Sequence, residues 1–226
     1  MTIKYHNDII QGTPEWHELR RGIITASEVS NILTPTLAVA NNDKTRALVY
    51  RKAAEIISGV VDDTFSSYHM ERGNMLEPFA ISEYEKHHDK VQLCGFVVNT
   101  RWGNAIGYSP DGLVGDSGLI EIKSPERKKH VEYLCYGDVP KEYWAQVQTG
   151  LLVTGREWID FISYHPGMAI KPVRVKPCAE THQKIIGAIT EFYAQVNDIV
   201  ALYNKNTKKA PITEEVELNT DGDIEV

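Results

Sequence analysis

Cysteine is scarce. Cys94, Cys135 and Cys178 are three in number, odd and scattered. A disulfide framework is therefore excluded, and so is a four-cysteine iron–sulfur cluster. Buried free thiols are the expectation. The eight histidines include no H-x-x-x-H pair, so no zinc site is expected. No apolar run reaches the length of a bilayer span. The start, Met1-Thr2-Ile3-Lys4-Tyr5-His6, has no signal-peptide core. These absences predict a cytoplasmic protein with no membrane segment. There is no internal repeat and no low-complexity linker, which predicts one domain over residues 1–210.

Positive charge is also short. The net charge is −7, which argues against a protein that coats nucleic acid by bulk attraction. Much of the deficit is local. The tail over 211–226 carries Glu214, Glu215, Glu217, Asp221, Asp223 and Glu225, and removing those six acids takes −7 to −1. The tail reads as a solvated, flexible end. Elsewhere Arg20, Arg21, Lys44, Arg46, Arg51, Lys52, Arg101, Lys123, Arg127, Lys128 and Lys129 remain for a local basic surface. The distribution of the field matters more than its sum.

What is present is a pattern of hard-metal chemistry. Ser109-Pro110-Asp111-Gly112-Leu113 is followed by Leu119-Ile120-Glu121-Ile122-Lys123. Gly115-Asp116-Ser117-Gly118 between them is a turn by composition. The second segment alternates at period two, as a strand does. Glu121 and Lys123 then share one face, Ile120 and Ile122 the other. Pro110 cannot donate to a ladder, so the chain loosens at Asp111. Asp111 and Glu121 can offer the oxygen ligands that Mg²⁺ prefers. A bound divalent cation would relieve repulsion between a phosphodiester and its attacker, and Lys123 can steer the attacking water. The plain alternative is a polar strand with a surface Glu121–Lys123 ion pair.

The surroundings supply more groups. Pro78 is tolerated in a first turn, so a helix is predicted to open near Gly73 and Asn74 with Glu77 in its first turn. It should run to about His88. Thr13-Pro14-Glu15-Trp16 reads as a capped helix start. Thr25-Ala26-Ser27-Glu28 has the capping-box pattern and predicts another. Helices are also expected over 44–58, 125–135, 141–153 and 178–204. Strands are expected near 91–98, 104–108, 112–115, 118–123, 157–164 and 170–176. Gln146 and Gln148 in the 141–153 helix are neutral and can hold water or phosphate. Arg127-Lys128-Lys129-His130 is either a solvated helix face or a phosphate-contacting patch. Helices, a compact meander and more helices predict an α/β fold with a central mixed β-sheet flanked by helices.

In their order, Glu77, Ser109-Pro110-Asp111-Gly112, Glu121-Ile122-Lys123 and Ala145-Gln146-Val147-Gln148 resemble the PD-(D/E)XK nucleases. Trp16-His17-Glu18-Leu19-Arg20-Arg21-Gly22-Ile23-Ile24-Thr25-Ala26-Ser27-Glu28 resembles the opening motif of their phage-type branch, the lambda exonuclease or YqaJ-like viral recombinase family. The resemblance covers roughly residues 12–200 and leaves the 34–44 loop and the tail unmatched. It implies a restriction-endonuclease-like core and a Mg²⁺-dependent 5′→3′ exonuclease of double-stranded DNA ends, with Mn²⁺ able to substitute. It further implies a role in phage or prophage recombination within the bacterial host, a single-strand annealing protein as partner, and a ring-shaped homotrimer. Asp111, Glu121 and the Ile122 carbonyl would hold metal, Glu77 would complete the acidic cluster, and Lys123 and Gln148 would act on the water or the scissile strand. Arg20, Ser27, Ser109 and Gln146 would contact DNA, with Arg20 and Ser27 forming a 5′-phosphate pocket. An endonuclease of restriction or repair type, and an inactive DNA-end-binding protein, remain the alternatives.

Overall fold

The structure is a computed structural model that describes residues 3–61 and 68–214. The tail expected to be flexible lies, beyond Glu214, outside the described residues.

The strands form two ladders. One has the order β1 (Ile3–His6), β4 (Phe96–Asn99), β5 (Ile106–Tyr108), β2 (Ile24–Thr25). The other runs β3 (Val91–Gln92), β6 (Gly112–Val114), β7 (Gly118–Lys123), β8 (Trp158–Ser163), β9 (Val173–Val175). Both are mixed: β2 is parallel to β5 and β7 to β8, and every other pair is antiparallel. The α/β class and the mixed sheet are as expected, but the single strand over 91–98 is not. Residues 93–95 break it, and β3 and β4 join different ladders. The cause is a close approach of backbone. The Gly95 N–H donates to His6 O, and a Cβ at Gly95 would sit 2.1 Å from the Ile9 carbonyl oxygen.

Among the described residues six α-helices accompany these ladders: α1 (Pro14–Arg20), α2 (Asp43–Ser58), α3 (Tyr68–Glu85), α4 (Arg127–Tyr136), α5 (Lys141–Thr154) and α6 (Ala179–Thr207). Thr13 caps α1, its Oγ1 accepting from Trp16 N–H at 3.4 Å. Asn42 caps α2, which ends at Gly59 in the left-handed conformation. Two helix starts differ from expectation. Thr25-Ala26-Ser27-Glu28 leads only to a 3-10 turn, Val29–Asn31. Here Ala26 N–H bonds to Gly107 O, extending the β2–β5 pairing, while Glu28 Oε2 takes the Thr25 N–H. The same side-chain bond thus closes a loop. The described part of helix α3 already runs from Tyr68, so Pro78 lies in its interior and Glu77 in its middle. The Asn74 carbonyl has no proline N–H to accept, but Asn74 and Pro78 are both exposed, and water can satisfy it.

The main core packs α5 and α6 against the sheets. Leu119, Ile159 and Phe161 meet Val147 and Leu151 of α5 and Ile185, Ile189, Phe192 and Val196 of α6. By length and composition alone α6 is apolar enough to cross a membrane, contrary to expectation. Its stripe at Ile185, Ile189, Phe192 and Val196 recurs at helical spacing and is buried in this core. A smaller core joins Ile120 and Ile122 of β7, Val114 and Ile162 to Ala80 and Tyr84 of α3. Of the thiols only Cys94 is buried, whereas Cys135 is exposed and Cys178 half-buried. Backbone crowding at Gly95 makes a direct prediction. Gly95→Ala should cost about 1–3 kcal/mol, the scale of overpacking, read as a lower midpoint in urea. An unchanged midpoint would mean that the strand break is not set by this contact.

Candidate active site

Strand β7 carries two different environments on its two faces. Ile120 and Ile122 enter the smaller core, and Leu119 enters the main one. Glu121 projects to the Leu119 side, near the strand's end. The hairpin register pairs Gly112 with Ile120, which sets Asp111 opposite Glu121. Asp111 lies in the bend before β6, and its Oδ2 accepts the Ile122 N–H at 2.5 Å. Glu121 is only 1% exposed. Its Oε2 accepts from the Tyr108 hydroxyl at 2.8 Å, and its Oε1 from Lys123 Nζ at 2.6 Å and Gln146 Nε2 at 2.5 Å. Lys123 Nζ also lies 5.3 Å from the centre of the Tyr143 ring. The Glu121–Lys123 contact is therefore no surface ion pair.

Glu77 reaches the same place from α3. With Asp111, Ile122, Lys123 and Tyr143 it lines a cavity of about 780 Å³. The cluster is electrostatically crowded. Burial, then repulsion from Glu121 and Glu77, holds the Asp111 carboxyl well above the usual carboxylate range. Burial and Glu121 likewise raise Glu77. Burial works against the charge on Lys123, but Glu121 and Asp111 outweigh it and raise its pKa. One ammonium faces three carboxylates, and a divalent cation would offset the excess. Among the described residues no three acidic, histidine or cysteine side chains converge on one point. Asp111 and Ile122 line the cavity and Glu121 stands opposite Asp111, so two carboxylates and the Ile122 carbonyl, with water, are the groups that could hold a cation. That set suits Mg²⁺, which usually keeps several waters.

The two glutamines part company. They are i and i+2 on α5, about 200° apart around the helix. Gln146 faces Glu121. Gln148 is buried on the opposite side, where Nε2 donates to Lys176 O at 3.0 Å and Oε1 accepts the Cys178 N–H at 2.8 Å. It ties the β9–α6 connection and does not reach the acidic cluster, so the expectation of a catalytic Gln148 is corrected.

A second cavity, of about 810 Å³, adjoins the first and shares Asn74 and Glu77 with it. Trp16, Arg20 and Ser27 are among its walls. Trp16 Nε1 donates to Ser109 Oγ and to Gly95 O, both at 3.0 Å. The Arg20 guanidinium lies 3.7 Å from the centre of the Trp16 ring. Burial lowers its pKa to about 10, against the pull of Glu28 and Glu55. Those glutamates are bonded to Arg51 and Lys52, which leaves the Arg20 fork to face the cavity. Ser27 is exposed there but precedes no α-helix. No α-helix dipole therefore acts at Ser27, although its hydroxyl remains. On α4, Lys128 and Lys129 line the first cavity. His130 does not join them: it is fully buried, hydrogen-bonded to Ser163 Oγ at 2.8 Å and Ala169 O at 3.1 Å. The sequence reading missed Tyr108, Tyr143 and the Lys52–Glu55–Glu28 network. The i, i+3 spacing of Lys52 and Glu55 was the only signal for the last.

Residues 15–157 match the YqaJ-like viral recombinase domain. The chain is similar in structure to the alkaline exonuclease LHK-Exo of Laribacter hongkongensis, at 28% identity and TM-score 0.78, covering 88% of this chain and 100% of that one. The complex of LHK-Exo with dAMP matches equally, at 29% identity and TM-score 0.78 over the same shares. A phage-related exonuclease of Haemophilus somnus 129PT shares the fold, at 13% identity and TM-score 0.53, covering 83% and 99%. No curated protein sequence matches. The divided glutamines can be told apart by experiment. Gln148→Leu leaves a buried N–H and a carbonyl unpaired and should cost about 1–3 kcal/mol. Gln146→Leu should cost less, because Glu121 keeps two other donors. Equal melting temperatures for the two variants would contradict the placement.

Proposed function

The chain belongs to the YqaJ-like viral recombinase domain family, and on that footing we propose that it is a Mg²⁺-dependent exonuclease. It degrades one strand of double-stranded DNA in the 5′→3′ direction from the end. The observation that carries the proposal is the sharing of Asn74 and Glu77 between an acidic cavity and an Arg20-lined one. A scissile phosphate in the first would then place a terminal phosphate in the second.

Asp111, Glu121 and the Ile122 carbonyl would hold the cation, and Glu77 would complete the acidic cluster. When bound, Mg²⁺ or in its place Mn²⁺ would supply the charge that relieves repulsion at the phosphodiester and steadies the leaving oxygen. Lys123 orients the attacking water through its ammonium, and Gln146 steadies Glu121 beside it. Lys128 and Lys129 contact the strand's phosphates as it leaves. Arg20 takes the terminal phosphate through its planar fork, with the Ser27 hydroxyl at the rim. Ser109 holds Trp16, which in turn carries Arg20. The protein acts in the bacterial cytoplasm on phage or prophage DNA, with no membrane contact. It works beside a single-strand annealing protein and as a ring-shaped homotrimer. A closed heterologous ring is the physical route to encircling the product.

Linear, nicked and circular duplexes incubated with Mg²⁺ or EDTA test this reading. Linear duplex alone should be consumed, and only with metal. Digestion of closed circles would instead identify an endonuclease. Asp111→Ala or Glu121→Ala should abolish cleavage, whereas Lys123→Ala should slow it about 10²-fold or more. An acid variant that folds by circular dichroism and cleaves fully would refute the assignment, and an inactive wild-type protein that binds ends would favour the binding-only alternative. A duplex bearing 5′-phosphate should be degraded faster than one bearing 5′-hydroxyl. Arg20→Ala should remove most of that preference. If the full preference survives in Arg20→Ala, the terminal phosphate is read elsewhere.

A further inference from the structure

Glu121 is almost sealed from solvent, so the groups around it fix the direction of its carboxylate. Lys123 and Gln146 both bond to Oε1, and both retain some exposure. The third donor comes from inside. Tyr108 is 1% exposed, and its hydroxyl reaches Oε2 at 2.8 Å. Its ring packs on α5 at Gly150, where an added Cβ would lie 2.9 Å from Tyr108 Cζ. The ring has no room to slide, and a buried tyrosine hydroxyl needs a partner. Lys123 and Gln146 sit on flexible stems, whereas Tyr108 sits on β5, whose neighbours β4 and β2 hold it from both sides.

We propose that Tyr108 is a positioning residue for cation binding: it anchors Glu121 Oε2 so that the carboxylate is presented toward Asp111. The inference rests on the reading of Asp111 and Glu121 as the cation-holding pair. Tyr108 touches neither DNA nor cation and acts only through Glu121. Gly150 belongs to the same device, as the missing side chain that lets the ring stand where it does.

Isothermal titration calorimetry of Mn²⁺ into the DNA-free full chain reads this directly. Tyr108→Phe keeps the ring and removes one oxygen. It should weaken Mn²⁺ binding about 10–100-fold, the range for partners that orient a ligand, and saturating Mn²⁺ should restore most of the cleavage rate. Wild-type Mn²⁺ affinity in folded Tyr108→Phe overturns the proposal. Gly150→Ala keeps the hydroxyl but displaces the ring, and should weaken Mn²⁺ in the same direction. If Tyr108→Phe does not fold, an unchanged affinity in Gly150→Ala overturns the proposal instead. Asp111→Asn separates the two levels. Loss of Mn²⁺ in Asp111→Asn with wild-type affinity in Tyr108→Phe removes only the role of Tyr108. Wild-type affinity in Asp111→Asn removes the reading of the acidic pair itself.

Discussion

Carboxylates buried side by side repel each other with little solvent to screen them, and that repulsion organises this end of the sheet. Asp111 and Glu121 face one another across the β6–β7 hairpin, and Glu77 approaches from α3. Donors from the fold meet part of this charge: the Ile122 N–H at Asp111 Oδ2, and Tyr108, Gln146 and Lys123 at Glu121. Even so the balance stays negative, and the Asp111 and Glu77 carboxyls hold their protons more tightly than usual. A site held short of neutrality is one prepared for a positive partner. Stability alone would favour an apolar strand end at the same place.

The second cavity obeys the opposite rule. Its buried acids are matched: Lys52, 4% exposed, bonds to both Glu28 and Glu55, and Arg51 adds a further pair to Glu28. Glu55 also accepts the Gly22 N–H at 2.7 Å, which fixes the turn immediately after α1. With the glutamates so engaged, Arg20 stacks on Trp16 and keeps its charge for the cavity. One cavity is thus crowded with carboxylates, and the other sets Arg20 beside glutamates already paired, side by side along α3. On the proposed reading a net charge of −7 is compatible with a DNA substrate, because Arg20, Lys128 and Lys129 line the two cavities.

Much of this was legible in the sequence where local rules have a single solution. The turn at Gly115-Asp116-Ser117-Gly118 and the alternation after it force Glu121 and Lys123 to one face and Asp111 opposite. Helices α2, α5 and α6 lie close to where they were expected, over 44–58, 141–153 and 178–204. Legibility failed where a local signal has two structural solutions. A capping pattern satisfies the Thr25 N–H whether or not a helix follows, and the pairing of Ala26 with Gly107 decided the matter. Pro78 marks a helix start only if the carbonyl four residues earlier would otherwise be stranded, and exposure at Asn74 removed that condition. Gln146 and Gln148 could not be separated without knowing which side of α5 faces the sheet. The break at 93–95 depends on Ile9, more than eighty residues upstream.

These failures share a cause that also explains why the positioning groups escaped notice. Acids and lysine at a metal-type site announce themselves, because the chemistry needs those residue types. The groups that aim them need only reach one atom from a fixed base, and an ordinary core residue can do it. Tyr108 reads in sequence as one more aromatic of a buried strand, and Gly150 as a weak spot in a helix. Only their contact, ring against missing side chain, shows that the helix and strand are spaced to leave a hydroxyl beneath Glu121. The reactive groups are written in residue identity, and their orientation is written in packing between distant segments.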